Sequence, residues 1–216
     1  IVDLYEAREG VHISVSYGGS QMLAQQIESG ASADLLISAG VAPVDRLDAR
    51  GYVYEKVPIL SNKLVVAIHG EIDLEVTSIE QLEDMSLGKI AIADPRLAPV
   101  GVYAKEALES AGIWDRLQPR LVIGGDVRST MAYLETGNVG AALVYASDVM
   151  VDKNIKSLDI IPTDTYSQII YPGMVVSNSD AKSAAILFLK FLGGNEAMKV
   201  FRAYGFSPYL HGNVTH

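Results

Sequence analysis

Short runs of β-branched and aliphatic residues alternate along the chain with stretches of helical length. Val11 to Tyr17 reads as a strand, Gln21 to Ser29 as a helix, Asp34 to Ser38 as a strand and Val41 to Ala49 as a helix. A long extended stretch follows from Tyr52 to Ile68, too long for one strand of one small sheet. The rhythm then restarts. Ser78-Ile79-Glu80-Gln81 has the Ser-x-x-Gln form of a capping box opening a short helix. Lys89 to Ala93, Arg120 to Ile123, Gly140 to Tyr145 and Ser157 to Ile161 read as strands, with helices over Gly101 to Ala111 and around Met131 to Glu135. A second extended stretch spans Gln168 to Val176. From Asp180 the chain reads as helix, with Leu187, Phe188, Phe191 and Leu192 on one apolar face. The first ten residues, apolar at 1, 2, 4 and 5 and stopped by Gly10, read as the second half of a helix with no capping residue before it.

This order predicts an α/β fold. Two long extended stretches on either side of a middle block suggest a chain that leaves one lobe, builds a second and returns, so that two crossovers form a hinge. The expected lobes are 1–66 with 176–216 and 67–175, each a mostly parallel sheet flanked by helices.

Composition narrows the function. The 216 residues are 49% hydrophobic and 20% charged, enough for a sizeable core and unlike a disordered chain. Lys and Arg total 17 against 26 Asp and Glu, a net charge of -9 with no basic run, which argues against a nucleic-acid partner. Zero cysteines exclude disulfides, thiolate metal sites and cysteine nucleophiles within these residues. No apolar run approaches the roughly 20 residues of a membrane helix.

Three glycine-bearing turns stand where a strand ends and a helix begins: Tyr17-Gly18-Gly19-Ser20-Gln21, Asp94 to Tyr103 with Pro99 and Gly101, and Gly124-Gly125-Asp126-Val127-Arg128. Helix N-termini present unpaired N–H groups at the positive end of the dipole and so suit an anion. The same residues also read as ordinary punctuation, with Ser20 and Asp126 as helix caps and 94–101 as a Pro-rich loop. Three such turns at the carboxyl ends of strands favour an anion held by neutral donors. Tyr145, ending the run Ala141 to Val144, reads either as a hydroxyl donor or as core. His12, His69, His211 and His216 show no metal-ligand spacing, and no nucleophile elbow or phosphate loop is present. Tyr133, Leu134, Trp114, Phe201 and Phe206 read as packing residues.

Taken together, Gly18-Gly19-Ser20, Leu23 to Ala31, Ala33 to Ala39, Asn62-Lys63-Leu64-Val65, Asp94-Pro95, Gly101 to Leu108, Gly112-Ile113-Trp114, Asp126-Val127-Arg128, Val144 to Asp148, Tyr171-Pro172 and Tyr204-Gly205-Phe206 resemble the molybdate-binding proteins of ABC-type transporters, within the two-lobed periplasmic binding protein superfamily. The resemblance implies an oxyanion, molybdate or tungstate, held by the Ser20 hydroxyl, the main-chain N–H groups of Val100 and Val127 and the Tyr145 hydroxyl. Gly18, Gly19, Gly101 and Asp126 would shape the turns. Val100 stands where the family often has alanine, which matters little to a backbone donor. The resemblance also implies no cofactor, a membrane permease as partner, and an extracytoplasmic location by signal peptide or lipid anchor. The family's opening strand and a first serine ligand would precede Ile1. Their loss from the chain would weaken binding and leave the first sheet open to association. Competing expectations are a two-lobed sensory effector domain, for which neither terminus offers a DNA-binding segment, a non-binding truncated homologue, and an enzyme using Asp94 and Asp126 as an acid–base pair.

Overall fold

A computed structural model of the chain describes residues 1–70, 76–150 and 152–209. His211 and His216 lie outside the described residues. In chain order the elements are α1 (Val2–Glu9), α2 (Ser20–Glu28), β1 (Leu35–Ile37), α3 (Val41–Ala49), β2 (Val53–Ser61), β3 (Leu64–His69), β4 (Ile90–Ala93), α4 (Pro99–Ser110), α5 (Trp114–Leu117), β5 (Leu121–Gly124), α6 (Val127–Glu135), β6 (Ala141–Tyr145), α7 (Ala146–Val149), β7 (Ile155–Leu158), β8 (Ile170–Val176), α8 (Lys182–Leu192), α9 (Asn195–Ala203) and β9 (Ser207–Pro208). They form two compact units, Ile1–Ser61 with Ile170–His216, and Asn62–Ile169.

Unit one has the strand order β1-β8-β2-β9, and every pairing among its described residues is antiparallel. The expected parallel character is therefore absent from this sheet, because its long members β2 and β8 are the outgoing and returning crossovers and run in opposite directions. α2 and α3 bury Ala24, Ile27, Val44 and Leu47 against Leu36, Met174 and Val176. α8 lies close to the sheet at Gly173, where an added Cβ would stand 2.4 Å from Leu189 Cδ2 and 2.6 Å from Ile59 Cδ1. From α1, Tyr5 packs its ring 4.9 Å from those of both Phe188 and Phe191. α1 ends at Gly10 in the left-handed conformation, φ 67°, whose N–H reaches the Glu6 carbonyl.

The strand expected over Val11 to Tyr17 does not form. Its alternation is that of a strand, yet Val11, Val15 and Tyr17 are exposed, and the Ile13 N–H goes to the Glu6 carboxylate at 2.6 Å rather than to a ladder. A strand exists only by pairing, and no described residue pairs with this segment.

Unit two has the order β5-β4-β6-β3-β7. β4 pairs in parallel with β5 and with β6, connected through α4 and α6, while β3 runs antiparallel to β6 and β7. Parallel neighbours need a crossover helix, so the parallel pairings appear where strand and helix alternate. Leu64 to Ile68 and Ala141 to Tyr145 are buried throughout, as expected of central strands read from continuous apolar runs. The helix opened by Ser78 forms as a 3-10 turn over Ile79–Glu83, with the Ser78 N–H on Gln81 Oε1 at 3.2 Å.

Two boundaries differ from the sequence reading. β7 ends at Leu158 rather than Ile161: Val66 partners Leu158, but at the next ladder position the Leu64 N–H is taken by the Tyr166 hydroxyl at 3.1 Å. The units divide at 61/62 and 169/170 rather than at 66/67 and 175/176. β3 already pairs with β6 at Leu64, and β8 pairs with β2 from Ile170, the partner of Ser61.

Candidate functional site

In unit one the turn before α2 carries Tyr17, 90% exposed, then Gly18 and Gly19. Gly19 is the N-cap with extended backbone, φ -61°, so neither turn geometry nor a left-handed φ demands glycine there. A Cβ at Gly19 would meet nothing within 4 Å, and at Gly18 it would meet the end of Met22 at 2.6 Å and Leu23 Cδ2 at 3.3 Å. The glycines leave the space before the helix open. Ser20 is the first helical residue rather than its cap, and it is buried. Its Oγ accepts the Ala39 N–H at 2.9 Å, which leaves the hydroxyl proton for another acceptor. The neighbouring Ser38, fully buried with Oγ donating to the Gly40 carbonyl at 2.7 Å, locks the loop that holds Ala39 in place. The sequence signal of that support is the Ser38-Ala39-Gly40 turn directly after β1.

In unit two, the three candidate donors lie at the carboxyl ends of three adjacent parallel strands. Val100 follows β4, Val127 follows β5 and Tyr145 ends β6. Val100 is buried in the first turn of α4, whose cap Ala98 has no side-chain acceptor to cover its N–H groups. Gly101 permits this approach: a Cβ there would stand 2.3 Å from the Ala93 carbonyl oxygen. The Asp94 N–H donates to the Gly124 carbonyl at 2.7 Å and ties the first donor turn to the second.

Asp94 itself is turned to structural use. Its carboxylate accepts the Arg96 N–H at 2.8 Å and the Arg96 guanidinium at 2.6 Å, and these bonds hold its pKa at about 2. Because the folded value lies below the usual value of 3.8, this contribution is complete above that pH and disappears as pH falls toward 2. Thermal melts between pH 5 and about 2 are expected to show a shallower acid limb for Asp94→Asn than for the unmodified chain. Equal slopes would remove Asp94 from the acid response.

Asp126 caps α6: its carboxylate accepts the Ser129 N–H at 2.8 Å, and Ser129 Oγ accepts the Asp126 N–H at 3.1 Å. The Ser129 bonds hold its pKa below the usual value. The capping alternative is thus the role of its carboxylate, which leaves the Val127 N–H, one residue into α6, in the uncovered first turn. Both carboxylates are thus engaged in structural bonds, Asp94 with Arg96 and Asp126 with Ser129.

Tyr145 is 4% exposed and packs its ring 6.4 Å from that of Tyr103, which lies 6.3 Å from that of Tyr166. Burial, with Glu106 nearby, raises the Tyr103 hydroxyl to about 12, so it stays protonated. Below Tyr145, burial raises Asp148 to about 6 against the opposing hydrogen bond from the Tyr145 N–H. His12 is exposed with Nδ1 3.0 Å from Glu6, and among the described residues no group of His, Asp or Glu could hold a metal ion.

Two units joined by two crossovers, the second with helix starts at the carboxyl ends of its parallel strands, fit the architecture of a solute-binding protein. The chain belongs to the family of bacterial extracellular solute-binding proteins, whose model matches residues 1–207. It is 34% identical over 213 residues to the molybdate-binding protein ModA of Escherichia coli, covering 96% of this chain and 82% of that one. Among solved structures, the periplasmic molybdate-binding protein of Azotobacter vinelandii superposes with a TM-score of 0.85 at 21% identity, covering 97% of this chain and 93% of that one. The sulfate-binding protein SubI of Mycobacterium tuberculosis superposes with a TM-score of 0.80 at 19% identity, covering 96% and 80%. The last two establish a shared fold.

Proposed function

We propose that the chain is the extracytoplasmic receptor of an ABC importer for molybdate or tungstate. The Ser20 hydroxyl, the N–H groups of Val100 and Val127 and the Tyr145 hydroxyl would be its donors. The observation that carries this reading is the row of donor positions at the ends of β4, β5 and β6, with Gly101 shaped for close backbone approach. The similarity to ModA supports molybdate as the ion. No cofactor and no catalytic step enter the proposal, and delivery would be to a membrane permease. Gly18 and Gly19 would keep room for the ion, and Asp126 would hold α6 in place.

A set of donors favours an oxyanion that carries no proton. The N–H groups of Val100 and Val127 cannot accept the hydroxyl of hydrogen phosphate, and the Ser20 or Tyr145 oxygen can accept it only by turning its own proton away from the ion, so a bond to the ion is lost at about 1–3 kcal/mol. Each bond to a charged ion contributes about 1.5–3 kcal/mol, so a few suffice for micromolar or tighter binding. Titration calorimetry is expected to show molybdate and tungstate binding at least about tenfold more tightly than phosphate. Sulfate, equally proton-free, is the informative comparison. Tighter sulfate than molybdate would reassign the ion, and no binding of any of the four would overturn the reading.

A further inference from the structure

Tyr145 stands at the junction of β6 and α7, so the direction of its side chain depends on how the peptide units around it are held. The Tyr145 N–H goes to Asp148 Oδ2 at 3.1 Å. The next N–H, of Ala146, donates to the Lys63 carbonyl at 2.9 Å. The following side chain, Ser147, accepts from Asn62 Nδ2 at 2.8 Å, and Asn62 Oδ1 accepts the Lys63 N–H at 2.9 Å. One amide therefore acts at two points. Its oxygen shapes the Asn62–Lys63 turn whose carbonyl faces Ala146, and its nitrogen reaches Ser147 directly. Asn62 and Ser147 are only 7% and 9% exposed, so water competes little for the bond between them. The ladder beyond begins at once, with Leu64 paired to Tyr145 itself.

We infer that Asn62 is a positioning residue for anion binding: through Ser147 and the Lys63 carbonyl it fixes the Tyr145–Ser147 turn and so the direction of the Tyr145 hydroxyl. The inference rests on the reading of Tyr145 as an anion donor. Asparagine suits the task because a short planar group must donate at one end and accept at the other. Leucine could do neither, and aspartate would lack the N–H that Ser147 receives. A residue that served only to stabilise the strand edge would affect binding equally whether or not the tyrosine had its hydroxyl.

The test is a double-mutant cycle in the 216-residue chain. Molybdate affinity is measured by calorimetry for the unmodified chain, Asn62→Ala, Tyr145→Phe and the double variant, with melting temperatures recorded without the ion. Asn62→Ala is expected to weaken molybdate about tenfold when the hydroxyl is present and less than about twofold in the Tyr145→Phe background. The same loss in both backgrounds would overturn the inference. If Asn62→Ala fails to fold, Ser147→Ala removes the receiving hydroxyl while leaving the Asn62–Lys63 turn, and the same comparison with Tyr145→Phe decides. Absence of molybdate binding by the unmodified chain would instead defeat the anion reading from which the inference starts.

Discussion

Replacing Gly101 by alanine is expected to lower the stability of the protein and to weaken anion binding together. The added methyl carbon would stand 2.3 Å from the Ala93 carbonyl oxygen and 2.8 Å from the carbonyl carbons of both Ala93 and Asp94. All three are backbone atoms at the end of a buried strand, so no side chain can rotate away. The first turn of α4 must lift from β4 instead. Overpacking of this kind costs about 1–3 kcal/mol, which for a protein of this size lowers the melting temperature by roughly 2–12 °C. The same lift moves the Val100 N–H away from where the ion would sit, so calorimetry is expected to show weaker molybdate binding as well. Gly193→Ala, just after α8, is the control, since a Cβ there would make only an ordinary contact, 3.6 Å from the Lys190 carbonyl oxygen. Unchanged melting and affinity for Gly101→Ala would mean that α4 does not need its close seat on β4.

The second large effect is expected from Tyr145→Phe, which removes one oxygen and leaves a ring of nearly the same shape against Tyr103. A hydrogen bond to a charged group contributes about 1.5–3 kcal/mol, so the molybdate dissociation constant is expected to rise about 10- to 150-fold. A dissociation constant within about twofold of the unmodified chain would remove Tyr145 from the donor set. The contrast between the two substitutions is useful: one acts on a backbone donor through the seat of its helix, the other on a side-chain donor directly.

Much of the scaffold was legible because its signals are local. The helix over Val41–Ala49 follows its periodicity, and the central strands Leu64–His69 and Ala141–Tyr145 stand out as continuous apolar runs. Pairing direction was not legible. β2 and β8 each look like any long strand, and only their meeting makes the first sheet antiparallel. Val11 to Tyr17 failed for the same reason, since alternation announces a strand but cannot supply a partner. At the site, the donor turns could be read from glycine and helix-start patterns. Their supports could not: Asn62 reaches Ser147 across 85 positions, and Ala39 reaches Ser20 across 19. Such bonds follow from the folded path rather than from any short pattern, so Asn62 is legible in the sequence only as part of a resemblance and its bond to Ser147 only in the structure.

Ser61 and Ile170 are paired neighbours at the end of β2 and β8. Topologically, the whole of unit two is thus the loop of a β-hairpin belonging to unit one. Closing so long a loop in an unfolded chain carries an entropic cost before β2 and β8 can zip together. Unit two removes most of that cost when it folds, because doing so brings its own first and last residues side by side. Folding of the inserted unit thereby prepares the central strand pair of its host, and the pairing of β2 with β8 in turn holds the ends of the insert together.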